Sequence, residues 1–174
     1  MLKFIILFFT LSISLVAGNL FSAKQIKNLQ TVYSVSSKIT KYPSTIASIA
    51  LVESSAGKNI IGDWNKNSGT SLLVASLGIL QIRLNTCKWV IKKEKSLYKY
   101  SKYNDSKLAG LLLTDIKFST IIASYYFEIL RKSRHQYFPT ISGYNGGYYN
   151  RPYYDRVIKA KKHISSLKKA GYFK

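Results

Sequence analysis

Seven acidic residues stand against 27 lysines and arginines in this 174-residue chain: Glu53, Asp63, Glu94, Asp105, Asp115, Glu128 and Asp155. In so basic a protein a carboxylate is ordinarily an ion-pair partner. Glu53 is set apart by its surroundings. It follows the apolar run Ile46-Ala47-Ser48-Ile49-Ala50-Leu51-Val52 and precedes Ser54-Ser55 and a glycine- and asparagine-rich stretch. That context puts a carboxyl near the end of a mostly buried helix, facing a polar loop. Desolvation there is expected to raise its pKa, as a general acid at neutral pH requires. Buried glutamates also serve structure, so the residue alone leaves both roles open. Ser54 and Ser55 are small polar neighbours, suited to positioning the carboxyl or to capping the helix.

Other side chains offer less. Cys87 is the lone cysteine, so no internal disulfide forms; it reads as a small buried apolar residue. His135 and His163 lie among basic helical residues outside any recognisable motif. The chain has no metal-ligand cluster, no phosphate-binding glycine loop and no nucleotide fingerprint, so no cofactor or metal is expected.

Three further segments extend the picture around Glu53-Ser54-Ser55. They are Ser76-Leu77-Gly78-Ile79-Leu80-Gln81-Ile82, Gly143-Tyr144-Asn145-Gly146-Gly147 and Tyr153-Tyr154-Asp155-Arg156-Val157. In this order the four resemble the catalytic domain of soluble lytic transglycosylases, over roughly residues 44–160. That family carries a Glu-Ser motif at a helix end, a Gly-Leu-Met-Gln motif, an Ala-Tyr-Asn-Ala-Gly motif, and a final helix opening with a tyrosine and a valine.

The resemblance implies a lysozyme-like domain with a sugar-binding cleft. It implies that Glu53 is the one catalytic acid/base, cleaving peptidoglycan between N-acetylmuramic acid and N-acetylglucosamine with a 1,6-anhydro product. It further implies that Gln81, Tyr144, Asn145 and Tyr154 line the cleft, with the Tyr144 hydroxyl orienting the glutamate and Ser54 and Ser55 supporting it. Leu80 stands where many members have methionine and Ile79 where they have leucine, both conservative packing changes. The stretch between Glu53 and Gln81 is longer than in typical members. The extra length carries Asp63, Trp64 and Asn65. Two roles suit it: a lid that stacks Trp64 on a sugar, or a second carboxylate, Asp63, that moves the chemistry toward hydrolysis. A hydrolytic muramidase of the same fold and a non-catalytic basic wall-binding protein are the competing functions.

The elements that must position these residues are mainly helical, with little or no β. Spacing predicts helices over 22–40, from Thr45 to near Gly57 with Ser44 as N-cap, over 76–82, from Thr86 to Leu97, over 105–113, over 115–134, and from Pro152 to Leu167. Residues 57–71 and Gly143–Asn150 read as loops. Residues 1–18 have the order of a signal peptide: Lys3, an apolar run from Phe4 to Val16, then Ala17-Gly18. The run is shorter than a spanning helix needs. The expectation is a cleaved signal, a retained anchor being the alternative, and a single domain over 19–174 in the periplasm or envelope. The net charge of +20 favours polyanions. In that compartment these are cell-wall polymers and anionic lipid surfaces, not nucleic acid. The expected partner is the glycan strand, and a secretion or conjugation apparatus is a possible client. Tyrosine-rich composition, fourteen in the chain, suits sugar faces.

Overall fold

The computed structural model describes residues 20–62 and 71–173. The architecture is mostly helical. Helix α1 is Ala23–Ser36, opened by a capping box in which the Ser22 hydroxyl accepts from the Gln25 amide and the Gln25 side chain accepts from the Ser22 amide. Helix α2 is Pro43–Ser54. Its proline sits at the first position, where no intrahelical N–H partner is lost. The helix therefore begins at Pro43, with Tyr42 as its cap, and not after a Ser44 cap. Thr45 through Ala50 are all buried, because α2 is the central helix. It packs on α7 (Arg151–Lys169) and on α1, and α5 (Ile116–Arg134) lies against α1 and touches it.

Three two-residue strands follow: β1 (Ile61–Gly62), β2 (Ser76–Leu77) and β3 (Ile82–Arg83). They pair antiparallel in chain order, Ile61 with Leu77 and Leu77 with Ile82. Residues 76–82 are thus a hairpin and not the helix their apolar content suggests. The hairpin turn is held by its glycine. Gly78 has φ +74°, and a Cβ there would run into the Leu112 carbonyl oxygen. Only glycine meets both constraints. Ile79, Leu80 and Ile82 then point into the core, none more than 2% exposed.

Helix α3 (Leu84–Lys93) buries Leu84, Cys87, Val90 and Ile91. A 3-10 turn (Lys95–Tyr100) leads to α4 (Asp105–Thr114), capped by Asn104, whose side chain accepts from the Lys107 amide at 2.9 Å. Asp115 ends α4 and caps α5, accepting from the Phe118 amide at 3.0 Å, and the axis turns by 101° there. Among the described residues no single helix is long and apolar enough to cross a membrane. Helix α6 (Tyr137–Tyr144) runs through Gly143, so the loop that follows begins only at Asn145. Gly143 lies against the Arg134 guanidinium, which a Cβ there would displace. That guanidinium donates to the Pro139 carbonyl at 2.8 Å and the Gly147 carbonyl at 2.6 Å, and so ties the loop to α6. Asn150 caps α7, accepting from the Tyr153 amide at 3.1 Å.

Candidate functional site

Glu53 occupies the last turn of α2. The chain then leaves the helix through Ser55, Ala56 and Gly57, three successive residues of positive φ (51°, 57° and 87°). This reversal is fixed from outside. The buried Ser54 hydroxyl donates to the Ile79 carbonyl at 2.7 Å and accepts from the Gly57 amide at 2.8 Å. Gln25 donates to the Ser55 carbonyl at 2.9 Å, and Asn28 to the Ala56 carbonyl at 2.9 Å. Ser54 therefore holds the end of α2 against the hairpin, and the Ser55 carbonyl ties it to α1, which makes both residues supports for Glu53.

The half-buried Glu53 faces a polar cavity of about 590 Å³. The hairpin forms one wall with Gly62, Ser76, Gln81 and Arg83; Thr86 of α3 and Tyr126 of α5 form another; Tyr144, Asn145 and Gly146 close it. Among the described residues Glu53 is the only carboxylate on this lining. Gln81 has φ +50°. Its amide donates to the Gly78 carbonyl at 2.8 Å, and its amide oxygen fills the space that a side chain at Gly62 would occupy. The side chain is thereby held at the cavity wall with its oxygen beside β1. Asn145 is exposed at the rim, accepting from the Asn150 amide group at 3.0 Å. Asp63 and Trp64 lie outside the described residues, as do residues 1–18, which were expected to be a signal peptide.

The tyrosines are arranged differently from expectation. Tyr153, 1% exposed, donates its hydroxyl to Glu53 Oε1 at 2.5 Å. Tyr144 also lies near Glu53, but its hydroxyl donates to the Leu80 carbonyl at 2.9 Å. Burial, and then the Glu53 charge, push both phenols well above their ordinary range. Both stay protonated as donors at any physiological pH. Tyr154, expected in the cleft, packs instead against Tyr137 and Phe138, with ring centroids 6.4 and 4.9 Å away, and the Arg151 guanidinium lies by its ring. The helix phase explains the exchange. Tyr153 shares the inward stripe Tyr153, Val157, Ala160, Ile164 and Leu167, and Tyr154 is one step of the helix off it. That stripe was the available sign that Tyr153 points inward. Arg83, directly after the Ser76–Ile82 segment, joins the site, as do Thr86 and Tyr126 from helices that carry no motif.

Comparison with protein-family models, with curated proteins and with solved structures returns no match to this chain.

The buried protons have a thermodynamic consequence. Burial pushes the Cys87 thiol up to about 12, against about 8.5 in an unfolded chain. The unfolded state then releases its proton first, and stability is present below pH ~8.5 and lost as pH climbs toward 12, at up to about 1.4 kcal/mol per pH unit. Tyr144 and Tyr153 add to the loss from pH ~10 upward, for the same reason. Urea unfolding from pH 8 to 11 should show this decline, and in Cys87→Ala it should be shallower below pH 10. An unchanged slope in that variant would mean the folded thiol titrates normally.

Proposed function

We propose that this chain is an exported peptidoglycan lytic transglycosylase with a lysozyme-like fold, and that Glu53 is its acid/base. The observation that carries this reading is Glu53 at the end of a buried helix, the only carboxylate among the described groove residues, held by a protonated phenol. Glycan cleavage by an acid that then acts as base needs one carboxyl kept in one place. A second carboxylate is not required, in contrast to two-carboxylate glycosidases.

In this mechanism Glu53 protonates the oxygen between N-acetylmuramic acid and N-acetylglucosamine. The glycosidic C–O bond breaks, and the ionised carboxylate then takes the proton of the muramic 6-hydroxyl. That oxygen closes onto the anomeric carbon and leaves a 1,6-anhydro end, with no water consumed. The Tyr153 hydrogen bond holds the carboxyl in place through both steps. Gln81 and Asn145 present amide groups that both donate and accept, which suits the acetamido groups of the sugar. Tyr144 fixes the hairpin that carries Gln81. The positive net charge, +20, draws an exported protein toward anionic wall polymers. Wall turnover, or local opening of the wall for a secretion or conjugation apparatus, suits a small enzyme of this kind.

The test is a digest of purified peptidoglycan read by mass spectrometry. Soluble muropeptides lighter by one water than hydrolytic products are expected. Hydrated reducing ends would replace the transglycosylase by a muramidase and make Asp63 the next residue to change. Binding without products would leave a wall-binding protein.

Tyr153→Phe isolates the positioning bond. The ring keeps its place in the core, and one hydrogen bond to a charged group is lost, so kcat should fall about 10- to 100-fold with KM little changed. A rise in KM at constant kcat would instead mean that Tyr153 acts on the substrate.

A further inference from the structure

We propose that Trp89 is a remote stacking platform of the groove, taking a sugar ring of the glycan strand away from the cleaved bond. This rests on the glycan reading above.

Helix α3 enters the groove with its first turn: Arg83 and Thr86 are on the lining. Trp89 follows Thr86 by three residues and so lies one turn further along the same face. The opposite face of α3 holds Leu84, Cys87, Val90 and Ile91 in the core. Trp89 is 40% exposed, although it carries the largest apolar ring of any side chain. Its ring stands nearly perpendicular to Tyr126, at 84° with centroids 6.1 Å apart. In either sense of such a contact at least one indole face is left off Tyr126. Tyr126 lines the groove, and its ring lies 5.5 Å from that of Tyr144. An aromatic track therefore runs Tyr144, Tyr126, Trp89, from the neighbourhood of Glu53 outward along α3. Its span is one that a glycan strand crosses in a couple of sugar units.

The surroundings favour a sugar over a protein partner. The exposed residues beside Trp89 on α3 are Asn85, Lys88, Lys92 and Lys93. A lone indole among polar side chains offers one flat apolar face together with donors for hydroxyl and acetamido groups. Trp89 is the one large apolar side chain that α3 exposes, whereas a protein interface would bring a contiguous apolar patch.

The chain has two tryptophans, Trp64 and Trp89. A Glu53→Gln, Trp64→Phe protein therefore reports on Trp89 alone and does not turn over. It is titrated with the N-acetylglucosamine hexamer and with the disaccharide, following tryptophan emission and calorimetric heat together. The hexamer should change the emission saturably, with the midpoint found by calorimetry, and the disaccharide should leave it unchanged. In a Glu53→Gln background, Trp89→Ala should weaken hexamer affinity about tenfold with Trp89→Phe restoring most of it, and neither should alter disaccharide affinity. Calorimetric binding of the hexamer with unmoved emission and full affinity in Trp89→Ala overturns the platform and leaves the glycan reading standing. Absence of glycan binding in Glu53→Gln with both tryptophans present overturns the glycan reading and the platform with it.

Discussion

On the proposed function, Glu53→Gln should reduce peptidoglycan cleavage about 10²- to 10⁴-fold, the scale of a lost acid/base group, while the protein remains folded. Both halves of this expectation follow from the geometry. Glutamine is isosteric, and its amide oxygen still accepts the Tyr153 hydrogen bond that Glu53 Oε1 receives at 2.5 Å. What it loses is the proton itself, which no other described groove residue is placed to supply, because Glu53 is the only carboxylate among them. The measurement is the rate of muropeptide release beside a thermal melt. Full activity in the variant would remove Glu53 from the chemistry. A collapsed melting temperature would make it a structural carboxylate. Glu53→Asp shortens the side chain by one methylene and withdraws the carboxyl from Tyr153, so most activity should be lost there too.

Gly78→Ala should cost about 3 kcal/mol or more and lower soluble yield. A left-handed backbone burdens a non-glycine residue by about 1–2 kcal/mol, and forcing a methyl into a packed interior adds about 1–3 kcal/mol. Here the obstacle is the Leu112 backbone carbonyl, which cannot rotate away as a side chain would. The damage should reach the site as well. Ser54 holds the Ile79 carbonyl and Tyr144 the Leu80 carbonyl, at 2.7 and 2.9 Å, so the turn at Gly78 ties the ends of α2 and α6 together. Gly110→Ala is the control. A Cβ there meets nothing within 4 Å in α4, and the substitution should stabilise by about 0.5–1 kcal/mol. Urea unfolding of the two variants should therefore move in opposite directions. Equal midpoints would mean that the Gly78 turn relaxes freely.

Long elements were legible from the residues because their apolar spacing repeats over several turns. Helix α5 is the clear case, with Phe118 and Ile122, one turn apart on the same face, both buried. The hairpin was not legible. Strands of two residues are too short to display alternation, and Leu77, Ile79, Leu80 and Ile82 read as a buried helical segment instead. Helix α6 was hidden by Pro139 and Gly143, both ordinary signs of a loop. Pro139 falls in the first turn, where amides lack intrahelical partners anyway, and Gly143 answers to Arg134 across the structure. The candidate site divides along the same line. Glu53, Gln81 and Asn145 reach the groove from short local motifs. Tyr153 in place of Tyr154 is a matter of helix phase, and Tyr126 and Thr86 arrive through tertiary packing that no local pattern announces.

The single thiol also gives the molecule its own clock. Cys87, on the core face of α3, is 0% exposed, and only thiolate reacts with disulfide reagents, so labelling waits for an opening that brings this helix away from the core. Where reclosing is faster than modification, the labelling rate measures the free energy of that opening. Each variant above that keeps Cys87 can thus be ranked in native buffer by how seldom one sulfur sees water.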